Sequence, residues 1–178
     1  MKYLLYSLPL GIFLILVGYF AVGLNLNPKK MPSALINQKI PFFNLDPIKD
    51  RVKGLSSDDL RGHVSLLNIF GSWCLACVSE HAFLMELKSK NLVPIYGIDW
   101  RENKPDDGPN WLKKRGDPYR LIGDDPDSRV SIALGVTGAP ETFFIDKNGV
   151  IRYKHVGPID SKIWQQRLWP LVKELQNQ

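Results

Sequence analysis

The stretch Cys74-Leu75-Ala76-Cys77 decides the fold, and it holds the only two cysteines of the chain. The apolar run 64–70 precedes it, and residues 80–88 repeat apolar side chains at helical spacing without Gly or Pro. The pattern predicts a buried strand, a short turn and a helix that begins at Cys74. Free backbone N–H groups and the helix dipole favour a thiolate at that end. Cys77 lies one turn further along and can close a disulfide, so a redox-active dithiol is predicted.

A Cys-x-x-Cys pair has two other interpretations, a zinc site and a structural disulfide. Four-coordinate zinc needs further ligands, and His63, His81 and His155 show no ligand spacing in a chain without a second Cys pair. A disulfide that closes so short a loop restricts the unfolded chain little. Dithiol exchange is favoured because Cys-x-x-Cys near a βαβ pattern is typical of thioredoxin-type proteins. No metal and no cofactor is predicted.

The rest of the chain alternates strands with helices around this motif. The strands are predicted at residues 40–45, 64–70, 92–98, 119–122, 142–145 and 150–155, and the helices at 55–62, 74–89, 110–116, 127–135 and 161–176. Residues 99–109 are charged and rich in turn formers, which indicates a loop, and Asn148-Gly149 marks a hairpin turn. This order predicts an α/β fold, a mixed sheet with helices on both faces.

The N-terminal residues predict a membrane anchor. Residues 3–28 contain no charged side chain and are largely apolar. A bilayer span needs about 20 apolar residues, whereas the apolar core of a signal peptide has only about 7–15. Ala21-Val22-Gly23 also fits a cleavage site, so removal stays open. We expect residues 1–27 to form an uncleaved transmembrane helix, 28–38 a tether and 39–178 the folded domain.

Charge does not fix the orientation of this anchor. Lys2 lies on one side of the apolar run, and Lys29 and Lys30 lie on the other, so the positive-inside rule favours neither direction. A two-residue tail normally stays inside while the long domain is translocated, which would place Cys74 in an oxidising compartment such as a bacterial periplasm. The net charge of +5 fits either weak attraction to an anionic membrane or an ordinary solvated surface. Nothing else in the sequence suggests nucleic-acid binding.

Two motifs together resemble a known family. Trp73-Cys74-x-x-Cys77 is followed by Glu80-His81, and later by the segment Gly135-Val136-Thr137-Gly138-Ala139-Pro140-Glu141-Thr142-Phe143-Phe144-Ile145-Asp146. Both resemble the membrane-anchored thioredoxin-like proteins of cytochrome c maturation, the DsbE/CcmG family of thiol:disulfide interchange proteins. The resemblance covers essentially the whole chain.

This resemblance implies a location, a client and an electron donor. The chain would lie in a bacterial inner membrane as a single-pass protein, with a thioredoxin-like domain facing the periplasm. It would reduce the disulfide in the Cys-x-x-Cys-His haem-binding motif of an apocytochrome c. A transmembrane reductase of the DsbD/CcdA kind would supply the electrons.

The resemblance also implies roles for residues outside the cysteine pair. Pro140 would be a cis-proline that faces the dithiol. The residues that tune its redox properties would be the acidic Glu80 and Glu141 together with Pro140 and Trp73. Trp73, Ala139 and Pro140 would contact the client.

The direction of exchange is predicted from charge. Cys74 is the expected exposed attacker, and Cys77 the resolving thiol. Leu75 and Ala76 supply no cation to hold a thiolate, and negative charge from the two glutamates would raise the thiol pKa. The reduced form is then less favoured, so a reductant is expected. Leu75 stands where many relatives have Pro or Ala, which leaves the reduction potential open.

Each of these roles has an ordinary alternative. Glu80 and Glu141 can be solvated surface residues, and Trp73 a packing residue. His81 can lower a thiol pKa when charged, or simply pack. X–Pro bonds are cis in only about 5–6% of cases, so the cis bond before Pro140 rests on the resemblance.

Two other functional classes also use two cysteines. A copper or zinc metallochaperone would need a third ligand, for which only His81 or Met85 is available near the thiols. A peroxide-reducing or general periplasmic thiol reductase would show peroxide turnover or act on many clients.

Overall fold

The computed structural model describes residues 2–25 and 35–178, and the chain divides into two units, Met1–Pro32 and Ser33–Gln178. In the first unit, helix α1 spans Lys2–Asn25. Among the described residues, no helix combines the length and the mean hydropathy required to cross a bilayer. The transmembrane helix expected within residues 1–27 therefore stays a prediction. Most of the expected tether lies outside the described residues.

Within residues 35–178, the described part of the second unit, there are seven strands and the helices that cover them. The strands are β1 (Asn44–Leu45), β2 (Leu55–Ser56), β3 (Ser65–Phe70), β4 (Ile95–Trp100), β5 (Ile122–Asp125), β6 (Glu141–Ile145) and β7 (Ile151–Val156). The helices are a 3₁₀ turn (Ser57–Leu60), α2 (Leu75–Ser89), α3 (Asp107–Arg115), α4 (Arg129–Ala133) and a closing helix made of α5 (Ser161–Ile163), a π-helical turn (Trp164–Leu168) and α6 (Trp169–Asn177).

Five of these strands form the central sheet, in the order β5-β4-β3-β6-β7. Strands β3, β4 and β5 run parallel, whereas β6 is antiparallel to both β3 and β7. Strand β3 lies at the centre and is buried along its whole length, which explains its nearly continuous apolar sequence. The predicted mixed sheet is confirmed. Strands β1 and β2 form a separate two-stranded sheet.

Alternate side chains of β3 divide the core between two faces of the sheet. Leu66 and Phe70 belong to a cluster that contains both cysteines, Leu84 of α2 and residues of the closing helix. Leu67 and Ile69 belong to a second cluster, under residues 40–60 and the end of α4. We call these the dithiol face and the far face. Because successive strand residues point to opposite faces, the register assigns each site residue to one of them.

The end of β4 lies further along the chain than the sequence predicts. Residues 99–109 were expected to be a loop, but β4 extends to Trp100, where Asp99 is opposite Phe70 in the parallel ladder. Helix α3 then begins at Asp107. A tertiary neighbour thus keeps a charged residue in a strand, although its own sequence favours a turn.

The closing helix is also less regular than its apolar spacing indicates. Its central turn is π-helical, and the Trp169 N–H bonds to the Trp164 carbonyl five residues earlier. Pro170 follows at once and has no N–H to donate to the preceding turn. The wider π-helical turn accommodates Pro170, which cannot donate a backbone hydrogen bond.

Candidate active site

The two cysteines form a disulfide at the point where β3 leads into α2. Cys74 is the N-cap of α2, its Cα atom lies 5.3 Å from that of Cys77, and the Cys77 backbone N–H donates to Cys74 Sγ at 3.0 Å. In the reduced protein the same donor is available to a Cys74 thiolate. The predicted position of Cys74 at the helix start is confirmed.

Both cysteines are buried in this disulfide form. Cys74 is 4% exposed and Cys77 1%, so the expectation that Cys74 is exposed is wrong for the oxidised protein, because its sulfur is bonded within the packed cluster. The exposed apolar surface beside the disulfide comes instead from Trp73 and Leu75, which are 47% and 84% exposed.

The turn before Cys74 rests on the end of β4. The Trp73 indole N–H donates to the Trp100 carbonyl at 3.0 Å, and a Cβ on Gly71 would lie only 2.5 Å from that indole nitrogen. The backbone N–H and hydroxyl of Ser72 each donate to the Glu102 carboxylate at 2.5 Å. Gly71 therefore leaves room for an oriented indole, and Glu102 fixes the turn.

Glu80 is buried on the dithiol face and is fully hydrogen bonded. One carboxylate oxygen accepts from the Asn68 side chain at 2.9 Å and the other from the Ile159 N–H at 3.0 Å. Asn68 also donates to Thr142 Oγ1 and accepts from the Tyr119 hydroxyl. Burial raises the pKa of Glu80 to about 7, although its hydrogen bonds oppose the shift. The surface alternative for Glu80 is excluded, and its carboxyl group titrates near neutral pH.

Pro140 lies at the same end of β3 as the dithiol. Ile69, near the end of β3, pairs with Glu141, so the residues before Glu141 extend past that edge. The Ala139–Pro140 peptide bond is cis, as the resemblance implies. Ala139 packs against the cluster that contains both cysteines. The structure thus brings these two residues to the site, and their contact with a client stays a prediction.

Glu141 lies on the far face, away from the dithiol. It is completely buried, and its carboxylate forms an ion pair with Lys154 Nζ at 2.7 Å. It also accepts from the backbone N–H of Thr137 at 3.0 Å. The expected approach of Glu141 to the dithiol is therefore corrected, because its partner Ile69 faces the far cluster. Thr142, the next residue, points to the dithiol face.

Known proteins resemble nearly the whole of this chain. Residues 35–166 match the Redoxin family. The thiol:disulfide interchange protein DsbE of Allochromatium vinosum is 43% identical over 169 residues, which cover 95% of this chain and 93% of that protein. DsbE of Pseudomonas aeruginosa is 42% identical over 175 residues, 98% of this chain and 96% of the relative. The chain belongs to the DsbE family of thiol:disulfide interchange proteins.

The fold of this DsbE-family chain also matches solved structures. A secreted thiol-disulfide isomerase from Corynebacterium glutamicum superposes with a TM-score of 0.66 at 22% identity, over 83% of this chain and 96% of that one. The second unit is a thioredoxin-like domain, and the chain is a thiol-disulfide oxidoreductase.

His81 is a packing residue in this DsbE-family domain. It is 3% exposed, its Nε2 lies 2.9 Å from the Gly116 carbonyl, and its ring meets Trp111 edge-on at 4.4 Å between centroids. Burial lowers the pKa of His81. Of the two roles that the sequence leaves open for His81, these contacts favour packing.

Asp99 is a second buried acid on the dithiol face that sequence reasoning missed. It is 1% exposed, and a side chain on Gly108 of α3 would collide with its carboxyl group. Burial and the adjacent Glu102 raise the pKa of Asp99 to about 9. Asp99 Oδ1 has no hydrogen-bond partner among the described residues. The signal available in the sequence is the alternation of side chains along a strand, which places Asp99 on the same side of β4 as the buried Ile95.

Proposed function

We propose that this chain is a protein-disulfide reductase that reduces the haem-binding motif of an apocytochrome c during cytochrome c biogenesis. The observation that carries the direction is the buried carboxyl group of Glu80 on the dithiol face. Likeness to DsbE proteins over nearly the whole chain supports the choice of client.

Reduction proceeds by two exchanges at sulfur. The Cys74 thiolate attacks one sulfur of the client disulfide, which breaks the client S–S bond and forms a mixed disulfide. The released client thiolate takes up a proton. Cys77 then loses its proton and attacks Cys74 Sγ, and the second client thiolate leaves and is protonated. The client gains two electrons and two protons, and the enzyme becomes the Cys74–Cys77 disulfide that the structure contains.

Apart from the start of α2, which favours a thiolate, the charges around the dithiol disfavour one. An ionised Glu80 on the same face opposes a second negative charge, and Leu75 and Ala76 between the cysteines carry no charge. Strong disulfide oxidants stabilise their reduced form. A protein whose active site does not stabilise the reduced form in this way acts as a reductant.

The proposal includes attachment to the inner membrane. The uncharged residues 3–28 would anchor a single-pass protein, and the domain would face the periplasm. A transmembrane thiol reductase of the DsbD/CcdA kind would restore the dithiol. These assignments are supported by the apolar segment and by relatives that align over 95–98% of this chain.

Mixed-disulfide trapping tests the function. The Cys77→Ser variant, produced in a bacterium that makes c-type cytochromes but lacks its own DsbE, should accumulate mixed disulfides with apocytochromes c, joined through Cys74. Mass spectrometry should find the captured cysteine within Cys-x-x-Cys-His. The Cys74→Ser variant is the matched control and should capture no client. Capture of many proteins without that motif would favour a general thiol reductase and contradict the proposal.

A further inference from the structure

Lys154 of β7 is a buried cation that the sequence did not point to. Its side chain is only 7% exposed, and Lys154 is opposite Phe143 in the ladder, on the far face of the sheet. The Nζ atom lies 2.7 Å from a carboxylate oxygen of Glu141 and 2.7 Å from the Gly135 carbonyl oxygen. Lysines are mostly exposed in folded proteins, so a lysine whose side chain is largely covered and pairs with a buried carboxylate is unusual.

Lys154 and Glu141 together hold two points of one loop, residues 135–140, which we call the cis-proline loop. Lys154 donates to the Gly135 carbonyl, and Glu141 accepts from both the N–H and the hydroxyl of Thr137. The loop contains neither helix nor strand. The conformation of the loop therefore depends on contacts such as these, which Lys154 and Glu141 make from the far face of the sheet.

The cis-proline loop borders the dithiol although the ion pair does not. It enters β6 beside the end of β3, and Ala139 packs against the cluster that contains Cys74 and Cys77. The Pro140 carbonyl accepts from the Gly157 N–H at 2.9 Å. A peptide that reaches the disulfide between Trp73 and this loop would meet the loop's backbone.

We propose that Lys154, through its ion pair with Glu141, positions the cis-proline loop to receive the client peptide. Lys154 is thus a positioning residue for client recognition and leaves the redox properties of the dithiol unchanged. This inference rests on the proposed reduction of a peptide disulfide. The resemblance assigns redox tuning to both Glu80 and Glu141. Under this inference Glu141 supports client recognition instead.

The variants must not leave a buried charge without a partner, since such a charge is strongly destabilising. The double variant Lys154→Met/Glu141→Gln removes both charges and keeps the size of each side chain. Gln can still accept from Thr137, but the bond to the Gly135 carbonyl is lost. Lys147→Met is the matched control, because Lys147 donates to the Gln176 carbonyl at 2.8 Å from the other end of the same hairpin.

Two disulfide substrates separate recognition from redox chemistry. The reduced full-length protein is mixed with an oxidised Cys-x-x-Cys-His peptide and, separately, with hydroxyethyl disulfide, which has no peptide backbone to lie on the loop. For the double variant we expect the half-saturating peptide concentration to rise roughly tenfold, about 1.4 kcal/mol of binding. The limiting rate, the rate with hydroxyethyl disulfide and the reduction potential should match the wild type. Lys147→Met should resemble the wild type in every assay.

Three outcomes would overturn the inference. Unchanged peptide saturation would show that the pair does not position the loop. An equal loss with hydroxyethyl disulfide, or a shifted potential, would place the effect at the dithiol. A lower melting temperature without any change in saturation would make the pair purely structural.

An oxidised Cys-x-x-Cys peptide with scrambled flanking residues distinguishes this inference from the proposed function. If the wild-type protein reduces both peptides equally, the haem-motif assignment fails. The inference on Lys154 still stands in that case, provided that the double variant weakens the saturation of both peptides.

Discussion

Glu80 shows how burial changes the chemistry of a single residue. Burial raises its pKa from 4.5 to about 7, so the folded protein binds more protons than the unfolded chain between these values. Its contribution to stability is complete below pH 4.5 and is lost as the pH rises through 7. We expect the free energy of unfolding to fall by up to about 3 kcal/mol over this interval.

Denaturant titrations of the wild type and of Glu80→Gln between pH 4.5 and pH 8 measure this contribution. The variant should lack this part of the pH dependence, whereas Glu174→Gln, at an exposed position of α6, should retain it. Parallel curves for the wild type and Glu80→Gln would contradict the prediction.

The two glutamates named by the resemblance should differ in their effect on the dithiol. Glu80→Gln removes an ionisable group from the dithiol face, so the Cys74 pKa should fall and the reduction potential should rise. One pKa unit corresponds to about 1.4 kcal/mol, which equals about 30 mV for a two-electron couple. Glu141→Gln, on the far face, should shift the potential much less. Equilibration with glutathione buffers and the ultraviolet absorbance of the thiolate test both variants, and equal shifts would refute this difference.

At the scale of elements, the segment that follows β4 holds the active-site turn. Glu102 accepts two hydrogen bonds from Ser72, so Glu102→Ala leaves both of these donors without their partner. The variant should lose about 1–3 kcal/mol of stability, and the amides next to Cys74 should exchange hydrogen faster. Glu86→Ala, at an exposed position of α2, is the control for losing a carboxylate. Unchanged exchange at the turn in Glu102→Ala would show that Glu102 does not hold it.

The elements that the sequence predicts well are those that local patterns determine. The β3–turn–α2 unit could be predicted because its apolar run and helical spacing are continuous. The strand position of Asp99 could not, because it depends on pairing with Phe70. The face occupied by Glu141 likewise requires the register with Ile69. Lys154 gave no signal because a lysine in a strand normally faces solvent.

At the scale of the whole molecule, the N-terminal segment should determine where the protein lies in the cell. We expect the full-length chain to sediment with membranes, because residues 3–28 carry no charge. A chain that starts at Pro28 should remain in solution with its thioredoxin-like domain folded. Fractionation followed by N-terminal sequencing tests both statements. A mature protein that begins near Leu24 would show instead that the segment is a cleaved signal.

The opposite directions of Glu141 and Thr142 in β6 have a consequence for how such a protein can diversify. Thr142 joins the network around Glu80 beneath the dithiol, whereas Glu141 and Lys154 hold the loop from the other side of the sheet. Substitutions on one side can adjust the driving force for electron transfer, and substitutions on the other can change which disulfides are accepted. Because one layer of backbone separates the two sides, selection can act on the reduction potential and on client choice separately. An engineer can likewise change the clients of the protein without changing its reduction potential.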